Sequence, residues 1–267
     1  MIGLGDRRFV VIGAGNIGRI LIHRLLASGA PAENLVVCDE DIERANAVGR
    51  RVGVRSILLN HEAIYAADVV LVAVPPKAVP DLLRTAGKWF RPGQLVISFA
   101  AAVPLERLES LLPEEIMVIR VMPNAPSLVG QGMNPVAYGR GITPEGRALM
   151  EAILACLGET IEISDDLMNW CVGLSGAAMR SLLPALEGMT RAGIEAGLTD
   201  KDARRVAAQV MLGTAALALQ TNLSFEEIRA LTPMETVDEV ALARFFEEAA
   251  RAAKEKVDRL QQKLVEV

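Results

Sequence analysis

Hydrophobic positions in this chain follow one pattern up to about residue 163 and another beyond it. In the first stretch, short continuous apolar runs stand between amphipathic segments. They are Phe9-Val10-Val11-Ile12, Leu35-Val36-Val37-Cys38, Val69-Val70-Leu71-Val72-Ala73-Val74, Leu95-Val96-Ile97-Ser98 and Met117-Val118-Ile119-Arg120-Val121. Runs that are apolar on both faces predict buried parallel strands. Helices are expected over 19–26, 42–51, 61–67 and 105–111, with a short extended piece near 54–58. Pro75-Pro76 ends the run before it sharply. Asn134 to Tyr138 and Glu159 to Ile163 read as edge strands around one more helix. Thr143 caps that helix, Pro144 takes its first position and Glu145 its first turn.

From about Ser164 the strand signal stops and helical spacing takes over. Thr199-Asp200-Lys201-Asp202 has capping-box spacing with Asp in place of Glu, and Gly197 before it suits a left-handed helix end. Ser224-Phe225-Glu226-Glu227 is a complete box. The last helix places Phe245, Ala249, Ala253, Val257, Leu260 and Leu264 on one stripe, with Glu247/Arg251 and Glu255/Arg259 as flanking ion pairs. The fold class is therefore α/β: a Rossmann-type doubly wound sheet over 1–163, then an all-α domain over 164–267. So short a helical region, rich in Ala and Leu, is expected to complete its core against a second copy, as a homodimer or a higher oligomer built on dimers.

Composition narrows the function. The 267 residues carry a net charge of −5 with no basic block, so neither nucleic acid nor a membrane surface is implied as partner. No apolar stretch reaches the roughly 18 residues of a membrane span, and the N-terminus lacks a leader-like apolar segment, so a cytoplasmic location is expected. Cys38, Cys156 and Cys171 form no CxxC pair, and His23 and His61 form no HxxxH, so no metal site is expected. Both histidines read as surface or cap residues.

The chemistry begins at Gly13-Ala14-Gly15-Asn16-Ile17-Gly18, directly behind the first strand and ahead of a helix. A glycine turn in that context brings backbone N–H groups and a helix N-terminus to a pyrophosphate. Asp39 ends the second strand, 21 residues beyond Gly18, where a carboxylate accepts from a ribose hydroxyl. Cys38-Asp39-Glu40-Asp41 crowds three acids against a 2′-phosphate, so NADH is favoured over NADPH, with Arg44 near enough to temper the preference.

Six further segments carry a family likeness: Val121-Met122-Pro123-Asn124-Ala125-Pro126, Ala73-Val74-Pro75-Pro76, Asn60-His61-Glu62, Ser98-Phe99-Ala100-Ala101, Gly173-Leu174-Ser175-Gly176 and the stretch 192–198. Together they resemble the pyrroline-5-carboxylate reductase family, whose members make proline, along nearly the whole chain. The first is similar to that family's VMPNxP segment. The second sits where the family has its AVKP turn at the nicotinamide end, and the fifth is similar to the start of GLSGSGPAY. The resemblance implies reduction of a small cyclic imine, 1-pyrroline-5-carboxylate, with NAD(P)H. It implies cofactor contacts at Asn60, Ala73, Val74, Pro75 and Asn124, and substrate contacts at Ser175 and Gly176.

The departures cluster where that family holds substrate. After Ser175-Gly176 the chain continues Ala177-Ala178-Met179-Arg180-Ser181, without the family's tyrosine. The family's SPGG loop is replaced by Thr232-Pro233-Met234-Glu235-Thr236-Val237. Losing two glycines alters a backbone nest for a carboxylate. Ser175 is a candidate catalytic hydroxyl or a helix cap, and Thr236 a candidate replacement for the missing hydroxyl. Arg180 is a carboxylate clamp or a solvated cation; Glu235 repels a substrate carboxylate if it points inward. Three readings stay open: a pyrroline-5-carboxylate reductase, a relative reducing another imine or keto acid, and a non-catalytic dinucleotide-binding regulator.

Overall fold

A computed structural model describes residues 4–59, 61–232 and 234–265. In chain order the elements of the first part are β1 (Phe9–Ile12), α1 (Asn16–Ala27), β2 (Leu35–Cys38), α2 (Ile42–Val52), β3 (Arg55–Ile57), α3 (His61–Ala66), β4 (Val69–Val72), α4 (Val79–Ala86), β5 (Leu95–Ser98), α5 (Leu105–Ser110), β6 (Met117–Val121), β7 (Gly132–Tyr138), α6 (Pro144–Ala155) and β8 (Gly158–Glu162). The eight strands form one sheet in the order β3-β2-β1-β4-β5-β6-β7-β8, the doubly wound order with two strands added. Strand order reverses about β1, whose neighbours are β2 and β4. That reversal opens a crevice at the carboxyl ends of β1 and β4.

Alternate strand residues feed two apolar layers. Phe9, Val11, Leu71 and Ile97 join the core on one face, and Val10, Val70, Val72 and Val96 the core on the other. Period-two alternation between two buried faces is why these strands read as unbroken apolar runs.

Two expectations need correction here. Asn134–Tyr138 lies in β7, an interior strand: it pairs antiparallel with β6 on one side and parallel with β8 on the other. Only β8 of that pair is an edge. The strand alternates buried and exposed residues at its start, which imitates an edge pattern. The helix α4, buried at Val79, Leu83 and Ala86, was not anticipated behind Pro75-Pro76. Proline is tolerated in a first helical turn: Pro76 opens a short 3-10 turn over Pro76–Ala78, and Pro80 sits in the first turn of α4 behind it.

Then come α7 (Met168–Cys171), a π-helical turn over Val172–Ala177, α8 (Ala178–Glu195), α9 (Asp200–Gln220), α10 (Phe225–Ala230) and α11 (Glu239–Val265). Compactness divides the chain into Met1–Gly176 with Ala250–Val267, and Ala177–Ala249. The strands end at the division read from sequence, whereas packing groups residues beyond it with the sheet.

Within the first unit, the end of α11 is held by polar contacts as well as by Val257. Asn169 donates to Asp258 and Gln261 at 2.9 and 2.8 Å. Arg120, 1% exposed on β6, donates to Asp165 at 2.9 Å and to Asn169 at 3.4 Å. Burial draws its guanidinium below the usual arginine value, and the Asp165 carboxylate draws it back. The other Asp165 oxygen accepts the N–H of Leu105 at the start of α5.

In the second unit, α8 and α9 meet through small residues. A Cβ on Gly193 would stand 2.9 Å from that of Ala203, and Ala203 and Ala207 are the buried positions of α9. Gly197 has φ +97 and turns the chain between the two helices. The Ser224 box closes in both directions. The Thr199 box does not: Asp202, one methylene shorter than Glu, meets the Thr199 hydroxyl rather than its backbone N–H. Along α11 the expected stripe holds from Ala249 to Leu264, but Phe245 is 56% exposed. Glu255 and Arg259 approach to 4.0 Å, whereas Glu247 and Arg251 form no ion pair among the described residues.

Candidate active site

The crevice beside β1 and β4 is a cleft of about 1060 Å³. Gly13, Gly15, Asn16, Ile17, Asp39, Ala73, Val74 and Pro75 all line it, so most of the sequence-derived cofactor residues converge. Each glycine has a separate reason. Gly13 has φ +107, and a Cβ there would lie 2.5 Å from the Ala73 carbonyl oxygen. A Cβ on Gly18 would lie 1.8 Å from the Gly13 oxygen, so Gly18 works beneath the turn and does not line the cleft. Gly15 faces open space.

α1 begins at Asn16 with Gly15 as its cap and no side-chain cap. Its first N–H groups and the positive end of the helix dipole are therefore available to an anion at Gly15. This donor set fits a pyrophosphate. Asp39 is buried and heavily bonded: its Oδ2 accepts Ala14 N–H at 2.7 Å, while its Oδ1 accepts Asp41 N–H at 3.0 Å and Arg44 at 3.3 Å. About four acceptor positions exist on a carboxylate, so one remains for a ribose hydroxyl. Burial pushes the neighbouring Cys38 thiol up to about 12, with Arg55 opposing, so it stays protonated and unreactive.

At the far wall, Met122 and Pro123 reach the cleft from the end of β6. Asn124, next in sequence, is not among the lining residues. Its amide donates to the Ser175 carbonyl at 3.3 Å and accepts Met133 N–H at 3.1 Å. It therefore ties the π-helical turn to β7. Ser175 is buried in that turn and donates its hydroxyl to the Cys171 carbonyl at 2.7 Å. Gly173, in the same turn, packs so closely that a Cβ would meet the Ala250 carbonyl oxygen at 2.4 Å. Single π-turns within helices recur at functional sites. Gly176 faces open space.

Arg180, Glu235 and Thr236 belong to the second unit and are exposed there, Arg180 near the start of α8 and the other two between α10 and α11. Asn60 lies outside the described residues. Sequence reading missed the cleft wall made by Asp81, Leu82 and Thr85, because α4 itself was missed. The spacing of Val79, Leu83 and Ala86 was the available signal. It also missed Ala102, a buried non-glycine residue at φ +63 that closes the turn placing Ala100 and Ala101 in the cleft. Among the described residues, no group of three or more His, Cys, Asp or Glu could hold a metal, and no helix is long and apolar enough to cross a membrane.

Comparison with known proteins covers both parts. Residues 8–102 match the family described as NADP oxidoreductase coenzyme F420-dependent, and residues 165–260 match pyrroline-5-carboxylate reductase dimerisation. Pyrroline-5-carboxylate reductase from Synechocystis sp. is 33% identical over 213 residues, covering 79% of each chain. The solved pyrroline-5-carboxylate reductase from Coxiella burnetii is 26% identical with a TM-score of 0.79, covering 95% of this chain and 98% of that one. Pyrroline carboxylate reductase from Plasmodium falciparum, solved with NADP bound, shares the fold at a TM-score of 0.84 and 20% identity, covering 97% of this chain and all of that one.

Proposed function

This chain belongs to the pyrroline-5-carboxylate reductase family, and from that premise we propose that it reduces 1-pyrroline-5-carboxylate to L-proline with a reduced nicotinamide dinucleotide. The observation that carries the reading is the content of the cleft. The glycine turn and the uncapped start of α1 stand at one side, and the family segment Val121–Asn124 sends Met122 and Pro123 to the other. A dinucleotide bound there would supply a hydride to the imine carbon, while the imine nitrogen takes a proton. The C=N bond becomes CH–NH, and the dinucleotide leaves oxidised.

Each residue then has a defined task. Backbone groups of Gly13, Gly15, Asn16 and Ile17 receive the pyrophosphate, with Gly18 supporting the turn. Asp39 receives the ribose, which favours NADH over NADPH. Ala73, Val74 and Pro75 flank the nicotinamide, Asn60 contacts the dinucleotide, and Asn124 orients the Ser175 turn. Such chemistry depends mainly on orientation and exclusion of water. Ser175 Oγ keeps acceptor capacity while bonded to Cys171, and it becomes a donor to substrate on leaving that carbonyl. Gly176 is a further substrate contact of the first unit, and Arg180 and Thr236 are candidate substrate residues of the second. The active form is a homodimer or a higher oligomer built on dimers, working in the cytoplasm.

The replaced SPGG loop favours a second reading, in which the substrate is an imine carrying less negative charge. Initial rates of NADH oxidation decide between them. The same protein should be compared on pyrroline-5-carboxylate, 1-pyrroline and a set of 2-keto acids. The first reading requires the carboxylated imine to have the highest kcat/KM; preference for 1-pyrroline supports the second. No turnover on any of them would leave the protein a non-catalytic nucleotide binder.

A further inference from the structure

Of the described residues lining the cleft, Arg44 alone is cationic, and two carboxylates hold it. Its Nη1 donates to Asp39 Oδ1 at 3.3 Å, and its Nη2 lies 3.7 Å from Asp41 Oδ2. The two acids differ in kind. The Asp39 side chain is 5% exposed and carries two backbone N–H bonds besides Arg44. The Asp41 side chain is 49% exposed. Its Oδ1 caps α2 by accepting the N–H groups of Glu43 and Arg44 at 3.0 and 3.3 Å, which leaves Oδ2 against the guanidinium. The Arg44 side chain is itself 51% exposed, and a guanidinium has five N–H donors, more than these two contacts use.

We propose that Arg44 is a masked receptor for a 2′-phosphate, and that Asp41 sets the cofactor preference by holding Arg44 without itself meeting the nucleotide. This rests on the reading above, in which the ribose sits at Asp39. A 2′-phosphate entering there brings nearly two negative charges beside Asp39 and Glu40, which line the cleft. Arg44 is the group able to offset them, and an arginine fork matches phosphate geometry. While both carboxylates neutralise the fork, the balance at the 2′ position is repulsive. Removing one of them releases an arm of the guanidinium and changes that balance. Asp39 cannot be removed without cost to NADH binding, because it also serves the ribose. Asp41 can, because asparagine caps a helix as well as aspartate does. Asp41→Asn therefore removes one of the two charges that hold Arg44 while keeping α2 capped and Asp39 in place.

Titration calorimetry with NADH and NADPH, with 2′-AMP as a fragment probe, tests this on the full-length protein. Asp41→Asn should tighten NADPH and 2′-AMP about three- to tenfold and leave NADH within about twofold. Asp39→Ser should tighten NADPH further and weaken NADH. Adding Arg44→Gln to Asp41→Asn should erase the gain in NADPH affinity. An unchanged NADPH-to-NADH ratio in Asp41→Asn, or a gain that survives Arg44→Gln, would overturn the proposal. The wild-type ratio tests the underlying reading separately. Tighter wild-type binding of NADPH than NADH ends the assignment of NADH, whereas the response to Asp41→Asn and Arg44→Gln decides the masking. Binding of neither nucleotide would end both.

Discussion

The sheet unit and the helical unit bury their side chains by opposite means. In the first, strands with two fully apolar faces enclose their own cores, and even a buried arginine finds a carboxylate. In the second, the buried positions of α9 are two alanines, while Leu212, Leu219 and Phe225 are 65%, 83% and 72% exposed. Apolar exposure on that scale marks an association surface. The sheet unit is complete as folded, whereas the helical unit presents an apolar face for a partner. The same contrast runs through the chemistry, since most of the proposed cofactor residues line one cleft while Arg180, Glu235 and Thr236 stand exposed.

The strongest way to break the first half is at Arg120. Arg120→Met should cost about 2–3 kcal/mol by removing the buried guanidinium that bonds Asp165 and Asn169, the carboxylate left behind being partly solvated. Urea denaturation measures it. Leu219→Ser, a larger change of polarity on an exposed residue, should cost no more than about 0.5 kcal/mol at protein concentrations too low for association.

Gly18 and Gly15 separate packing from binding at the cleft. Gly18→Ala drives a Cβ into the Gly13 carbonyl, so it should lower the thermal midpoint and weaken NADH by about a hundredfold or more. Gly15→Ala meets open space in the protein. It should leave the midpoint unchanged yet weaken NADH about tenfold, because the methyl group occupies the approach of the pyrophosphate. Equal effects of the two on stability would contradict these separate roles.

For the helical unit, Leu212→Asp with Leu219→Asp should convert dimers to monomers in sedimentation equilibrium while the sheet unit still binds NADH. An unaltered dimer would place the interface elsewhere. The smallest expected effect is at the altered loop. The pair Met234→Gly and Glu235→Gly should raise kcat/KM for pyrroline-5-carboxylate about two- to fivefold, the range left to an exposed charge after solvent screening. A fall in kcat/KM would show that Glu235 assists the reaction.

What could be read from the residues alone followed the same division. The glycine turn, Asp39 and the apolar strands were legible because local geometry dictates them: a positive φ at Gly13, a close approach at Gly18, a buried face on each side of β4. The Ser224 box was legible for the same reason. Arg120 was not, because a single charge inside the strand Met117–Val121 gives no hint of Asp165, which lies 45 residues away. The bonds of Asn169 to Asp258 and Gln261 span about 90 residues and leave no periodic trace. Arg44 was noticed in sequence, but its hold by Asp39 and Asp41 depends on how β2 hands over to α2. The interior place of β7 was hidden because pairing order is a property of the sheet rather than of the strand.

The most direct test of the central claim follows the hydride. Wild-type protein is supplied with pyrroline-5-carboxylate and NADH carrying deuterium at one C4 position, separately for each of the two C4 faces, and the proline formed is weighed by mass spectrometry. A reductase using this cleft transfers from one face only, so one labelled cofactor should give proline heavier by one deuterium and the other should give unlabelled proline with labelled NAD. Absence of proline, or label divided between both experiments, would contradict the account.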